Sequence, residues 1–216
     1  MEEKIAQLQV EKLELENKFL NPDFLKSPDY LEAQKKYNRI SEIIETLAGK
    51  TKLDIEFKES GWGSDGSNGT GYTSALLEEA LGFFDADEIT VTSFVDSVVR
   101  ETKEKFPSIQ TGLLLGLDPN EQEEPKQNIL QLRLSELFPE KRIKNCRADF
   151  VAMNYKLAKL GVVGRAHKAG VPSMVWTVNS RNDIKSFLED SRVIGVITDE
   201  PKLGLEAREA ISVLTT

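Results

Sequence analysis

The sequence predicts an α/β protein: an incomplete TIM-like β/α barrel of about five or six parallel strands, preceded by an N-terminal helical hairpin. Three observations lead there. From Leu76 onward, short apolar runs of strand length alternate with amphipathic runs of helical length, the pattern of right-handed crossovers on a parallel sheet. The stretch Leu53 to Lys58 alternates Leu53, Ile55 and Phe57 with Asp54, Glu56 and Lys58, which on a strand makes one oily side and one charged side. Finally, 216 residues fall short of the roughly 250 of an eight-stranded β/α barrel.

The chain begins with Ile5, Leu8, Lys12, Leu15 and Phe19 at alternating steps of three and four, one stripe of a helix over about Glu2 to Leu20. Asn21-Pro22-Asp23 breaks it. Ser27-Pro28-Asp29 supplies an N-cap, a proline at the first helical position and an acid in the first turn of a second helix. That helix carries Ala33, Tyr37, Ile40, Ile44 and Leu47, and Gly49 is its stop. Two helices joined by a short polar link make an antiparallel, coiled-coil-like hairpin. The stretch is similar to hairpins appended to some translation-associated proteins; read from its residues, it is a packing device or a homo-oligomer contact. The expected domains are a hairpin over 1–39 and a partial barrel over 40–216.

In a barrel, the oily side of Leu53 to Lys58 packs outward on helices and the charged side faces the lumen, where a carboxylate beside a lysine suits a metal or a phosphate. The same six residues fit a solvated edge strand equally well. Ser60 to Ser74 holds five glycines among Ser, Asn, Asp and Thr; no lysine follows them as in a phosphate-cradling loop, so they read as a linker, with Trp62 and Tyr72 able to cover a pocket. Then follow helix Ala75 to Phe84, strand Glu88 to Ser93, helix Asp96 to Lys105, strand Gly112 to Gly116, an acidic loop, and helix Asn128 to Leu137. A short strand Ala148 to Ala152, a helix over Leu160 to Ala169, strand Ser173 to Val178, helix Arg181 to Glu189, strand Val193 to Thr198 and a helix from Leu203 complete the series. Polar residues recur at the C-terminal ends of strands, where β/α barrels keep their chemistry: Glu56, Lys58, Ser93, Trp176 with Asn179, and Asp199.

Composition narrows the partners. A net charge of -8 argues against a nucleic-acid surface, which needs a basic patch. Cys146 is the single cysteine, so no intrachain disulfide forms and its expected place is a buried, inert thiol. No membrane span or leader is expected, and the setting reads as cytoplasmic.

Val91-Thr-Ser-Phe94, Thr111-Gly-Leu-Leu114, Ala148-Asp-Phe150, Ala166-His-Lys-Ala-Gly170, Val175-Trp-Thr-Val-Asn179 and Gly195-Val-Ile-Thr-Asp-Glu-Pro201, with Leu53 to Lys58, resemble the glycerophosphodiester phosphodiesterase family in order and spacing, over about Ile40 to Ala207. The resemblance implies a β/α barrel that hydrolyses glycerophosphodiesters, compounds of lipid metabolism, to glycerol phosphate and an alcohol with calcium or magnesium. It implies that Glu56 is a metal-binding carboxylate, that Lys58 contacts phosphate and that Trp176 lines the glycerol side. The family's His-Arg-Gly, Asn-Thr, Glu-x-Asp and His-Asp segments have no counterpart here. Hydrolysis in that family uses two histidines as acid and base, whereas His167 is the single histidine and falls on a structural helix. No catalytic residue is therefore assigned. Three readings stand: a phosphodiesterase domain of little or no activity, a binding or scaffold protein assembling through the hairpin, and a rearranged fusion.

Overall fold

The computed structural model describes residues 35, 46–57, 77–78, 80–116 and 129–214. Residues 1–45 apart from Lys35, the glycine-rich stretch with Trp62 and Tyr72, the acidic loop and Lys58 lie outside the described residues. The chain divides into two compact units, Met1–Thr92 with Glu101–Gln110, and Ser93–Arg100 with Thr111–Thr216.

In the first unit, β1 (Leu53–Phe57) lies beside β2 (Ile89–Ser93), which crosses into the second unit at its last residue. The alternation in β1 is realised: Leu53, Ile55 and Phe57 are buried, and Asp54 and Glu56 are half-buried. Full burial of such side chains contributes about 1.5–3 kcal/mol each, enough to fix which side of the strand faces inward. Asp54 Oδ1 accepts a hydrogen bond from Thr92 Oγ1 at 3.2 Å, so its carboxylate is engaged with the neighbouring strand. Helix α1 (Asp96–Lys105) follows β2, with Asp96 in its first turn and Lys103 and Lys105 in its last, a charge order that suits the helix dipole.

The second unit carries β3 (Gln110–Leu115), β4 (Phe150–Asn154), β5 (Ser173–Trp176) and β6 (Val193–Val196) in spatial order. All three pairings are parallel, with Leu114 opposite Ala152, Asn154 opposite Trp176 and Val175 opposite Val196. The connecting helices are α2 (Ile129–Leu137), α3 (Glu140–Cys146), α4 (Tyr155–Lys159), α5 (Val162–Lys168), α6 (Arg181–Leu188) and α7 (Pro201–Leu214). Parallel strands joined by helices are the expected α/β architecture.

Several elements differ from expectation in their bounds, and four of the differences have a local cause or signal. The strand expected at Ala148 starts two residues later and is a buried core strand, because Asp149 is spent before it: its Oδ2 accepts from the Thr111 amide at 2.9 Å and from Thr111 Oγ1 at 3.2 Å. Helix α3 has no counterpart in the sequence reading, although Glu140 in its first turn and buried Ile143 and Cys146 three apart mark it. The helix expected over Leu160 to Ala169 is α5, and the short α4 before it was not foreseen. Asn154 caps α4 by accepting from the Lys156 amide at 3.0 Å, and Gly161, at φ 88°, turns the chain into α5. The closing helix starts at Pro201 rather than Leu203, because proline suits a first helical position.

Between the β3–β6 sheet and its helices lies one continuous core containing Leu113, Leu115, Val151, Met153 and Val175 from the strands, with Cys146, Val162, Ala166 and Ile184 from the helices. Cys146 is wholly buried there, and burial pushes its thiol up to about 11, which keeps it protonated and unreactive.

Candidate functional site

The opposite face of the same strands is lined by Leu114, Phe150 and Ala152, with half-buried Phe94, Met174 and Trp176 against them. Period two dictates this: residues flanking those of the core project to the other side. The face has glycine at close approaches. A Cβ on Gly112 would lie 2.3 Å from Phe150 Cζ, and one on Gly116 would lie 2.5 Å from Asn154 Cβ while also facing a φ of 104°. Glycine at 112 therefore lets the Phe150 ring lie across β3.

At the C-terminal end of this face stand Phe94, Asn154 and Trp176. The Phe94 and Trp176 rings meet edge to face, with centroids 6.0 Å apart and planes at 85°. The Trp176 indole Nε1 is buried and has no hydrogen-bond acceptor. A buried donor left unpaired costs about 1–3 kcal/mol, and among the described rim residues Trp176 is where the fold keeps a hydrogen bond unmade.

The other expected rim residues of this unit are engaged within the fold. Ser93 is fully buried, and its Oγ accepts from the Val95 amide at 3.1 Å. Asn179 clasps the exits of β5 and β6: its Nδ2 donates to Asp199 Oδ2 at 2.8 Å, and its Oδ1 accepts from Thr198 Oγ1 at 3.1 Å and the Asp199 amide at 3.0 Å. Thr198 Oγ1 in turn accepts from the Glu200 amide at 3.0 Å. The carboxylate of Asp199, expected at the rim, ties one strand exit to the next.

Two residues went unassigned in the sequence. Phe94 was visible only as part of a motif. Arg142 sits on the unforeseen α3; its Nη2 donates to the Phe94 carbonyl at 2.9 Å, and Asp96 Oδ1 accepts from Nε at 2.9 Å and Nη2 at 2.6 Å. An arginine beside the Pro139-Glu140 helix start was the available signal. Gly116 is held similarly: its amide donates to Glu136 Oε1 at 2.8 Å, and the buried Glu136 pairs with Arg133 at 2.6 Å.

His167 is exposed on α5, which leads into the N-terminal end of β5, the end away from Trp176. Glu56 stands in the first unit, half-buried on β1, and Trp176 in the second. A calcium or magnesium ion wants about six or more oxygen ligands, yet among the described residues no group of three His, Cys, Asp or Glu side chains is placed to hold an ion. The described residues therefore do not by themselves supply the ligand set of such an ion.

Parallel strands joined by helices, with an unpaired donor and paired aromatics at the C-terminal strand ends, define the class of α/β proteins whose sites are built on strand ends. The sequence matches the glycerophosphoryl diester phosphodiesterase family over residues 5–203, and the chain belongs to that family. The match runs through the boundary expected at residue 40 and takes in most of the stretch read as a hairpin. Among solved structures, a Silicibacter pomeroyi protein described as a glycerophosphoryl diester phosphodiesterase is 17% identical with a TM-score of 0.57, over 80% of this chain and 56% of its own. The glycerophosphodiester phosphodiesterase of Thermotoga maritima is 20% identical with a TM-score of 0.51, over 82% and 68%. A phosphodiesterase of Oleispira antarctica, solved with the product sn-glycerol-3-phosphate, is 16% identical with a TM-score of 0.51, over 83% and 60%. At these identities the likeness shows the fold. The chain spans 56% to 68% of the length of these three relatives. Curated proteins yield no match. No helix among the described residues is long and apolar enough to cross a membrane.

Proposed function

We propose that the chain binds the glycerol phosphate half of a glycerophosphodiester, with Trp176 on the glycerol side, and that by itself it hydrolyses the diester weakly or not at all. The observation that carries this reading is the buried Trp176 indole N–H without an acceptor, at the C-terminal end of β5 and flanked by Phe94. A hydroxyl or phosphate oxygen is the acceptor such a donor lacks, and the ring gives the carbon skeleton an apolar wall. The family resemblance makes Lys58 a phosphate contact and Glu56 a metal-binding carboxylate, and these roles are proposed of each residue by itself.

Weak hydrolysis follows from the chemistry. Attack by water needs a group to take its proton, and departure of the alcohol needs a group to return one. The single histidine, His167, is exposed on α5 and remote along the fold from the strand exits.

The test has two readouts on the full chain. Calorimetric titration with sn-glycerol-3-phosphate should show binding that Trp176→Ala weakens. Release of glycerol phosphate from glycerophosphocholine, with calcium, magnesium or chelator, should be slow or undetectable. Fast metal-dependent turnover lost in Glu56→Gln would replace the proposal with a fully catalytic one. Absence of glycerol phosphate binding by a folded sample would end it.

A further inference from the structure

We infer that Arg142 is a positioning residue, which sets the Trp176 indole by fixing the turn that carries Phe94. The inference rests on the proposed function only in taking Trp176 as the group that meets ligand. Its structural basis lies within the second unit.

The turn from β2 into α1 is held from three directions. Ser93 Oγ accepts the Val95 amide at 3.1 Å, an internal bond of the turn. The Arg142 guanidinium, from α3, then grips two positions at once: Nη2 donates to the Phe94 carbonyl at 2.9 Å, and Nε and Nη2 donate to Asp96 Oδ1 at 2.9 and 2.6 Å. The Arg142 side chain is 16% exposed and that of Asp96 33%, so the pair is shielded enough for the charge-assisted bonds to count. Four bonds on four residues are more than a surface turn needs to form. Their product is a fixed direction for Phe94, the one residue of the turn packed into the open-face cluster.

Phe94 meets Trp176 edge to face, a geometry that restrains the angle of both rings. On the other side, the Trp176 backbone is in register with Asn154 in the sheet. The indole N–H makes no hydrogen bond of its own, so no polar group among the described residues fixes the indole's direction. Packing sets it, and Phe94 is the packing partner whose own position depends on a distant side chain. The chain of influence runs from α3 through Arg142 to the Phe94 carbonyl, then to the Phe94 ring and on to Trp176.

A lysine in place of Arg142 would not suffice. Its single ammonium can reach Asp96, but it lacks the planar fork that serves carboxylate and carbonyl together. Arg142→Lys therefore separates loss of the fork from loss of the charge.

The experiment uses Trp176 as its own reporter. The chain has two tryptophans, so Trp62→Phe leaves Trp176 as the sole emitter. In that background Arg142→Met and Phe94→Leu should each shift the emission to longer wavelength and increase quenching by acrylamide, and Arg142→Lys should behave as Arg142→Met. Asp96→Asn, a milder change, should move both readouts in the same direction and keeps the test alive if Arg142→Met does not fold. Lys159→Met, which breaks the surface pair Lys159–Asp183 at 2.9 Å, is the control for general loosening and should leave Trp176 emission unchanged. Unchanged emission in both Arg142→Met and Asp96→Asn would overturn the inference, as would a shift in Arg142→Met without one in Phe94→Leu, or an equal shift in the control. Glycerol phosphate titrations on the same proteins separate the two ideas. Shifts as expected in a parent that does not bind the ligand support the positioning role and count against the proposed function alone.

Discussion

The two faces of the β3–β6 sheet are both apolar, but they are built differently. On the helix side Leu113, Leu115, Val151, Met153 and Val175 are fully buried under α3 to α7, with mostly aliphatic partners beside Cys146, Tyr155 and Phe187. On the other side the apolar row is short, it gives way to half-buried Met174, Trp176 and Phe94 toward the strand ends, and it contains a donor with no acceptor. A strand buried on two faces reads as a continuous hydrophobic run, so sequence hydrophobicity alone does not tell the faces apart. The difference is that the helix face is closed by fully buried side chains, although it too keeps one hydroxyl, Ser173 Oγ, without a partner, whereas the open face ends in half-buried aromatics with an indole N–H unsatisfied.

That difference is tested most forcefully at Met153, wholly buried in the middle of the helix face. Met153→Ala should lower the stability of the second unit by about 2–5 kcal/mol, through lost burial and the cavity left behind. A shift of the urea midpoint at constant slope is the measurement. A loss below about 1 kcal/mol would mean that this face is less tightly sealed than the buried side chains indicate.

Gly112→Ala probes the open face below its rim. The added methyl would meet the Phe150 ring at 2.3 Å, and that ring is itself buried, so it has to tilt at the expense of neighbours. The expected loss is about 1–3 kcal/mol, the usual cost of overpacking. Phe150→Leu should restore part of it in the double variant, which a backbone effect at 112 would not allow.

Trp176→Phe reaches the rim and should be nearly neutral for stability, within about 1 kcal/mol, because the smaller ring loses some packing but removes an unpaired buried donor. Binding of glycerol phosphate should nonetheless weaken measurably. A large stability loss with unchanged binding would make Trp176 a core residue and erase the distinction between the faces.

Much of the fold was legible in the sequence because the strands announce themselves through apolar runs punctuated by turn residues. Helix α1 was placed to the residue, since Asp96 opens it and Lys105 closes it with matching charges. What was not legible depends on partners far along the chain. Helix α3 is seven residues long, too short for a full amphipathic stripe, and it is held in place by Ile143 and Cys146 in a core the sequence does not display. The site shows the same division. Trp176 and Asn179 stood out at a strand end, but only the coordinates separate the clasp from the unpaired donor, because Asn179 finds Asp199 twenty residues later. Arg142 was invisible as a site residue, since its partners Phe94 and Asp96 are 48 and 46 residues earlier.

The smallest expected effect lies at the far end of the strands, where polar pairs trim the turn into β6. Arg192 donates to both carboxylate oxygens of Asp190, at 2.8 and 2.7 Å, and this pairing holds the Asp190 carboxyl at about 2 although partial burial opposes it. In an unfolded chain the same group titrates near about 3.9. The folded state therefore favours the ionised form: the stabilisation is fully present above about pH 4 and fades as the pH falls toward 2. Asp190→Asn should lower the melting temperature slightly at neutral pH, and the two melting curves should converge as the solution is acidified through that window. The gap stays small because the Arg192 side chain is 43% exposed and water screens the pair. A gap that persisted unchanged at pH 2 would assign the effect to the Arg192 amide, which donates to Asp190 Oδ1 at 3.0 Å, and not to the charge pair. Either way the opposite ends of these strands remain distinct: at this end the charged groups Asp190 and Arg192 are paired and tune stability by fractions, and at the Trp176 end a half-buried aromatic keeps its indole N–H unpaired inside the fold.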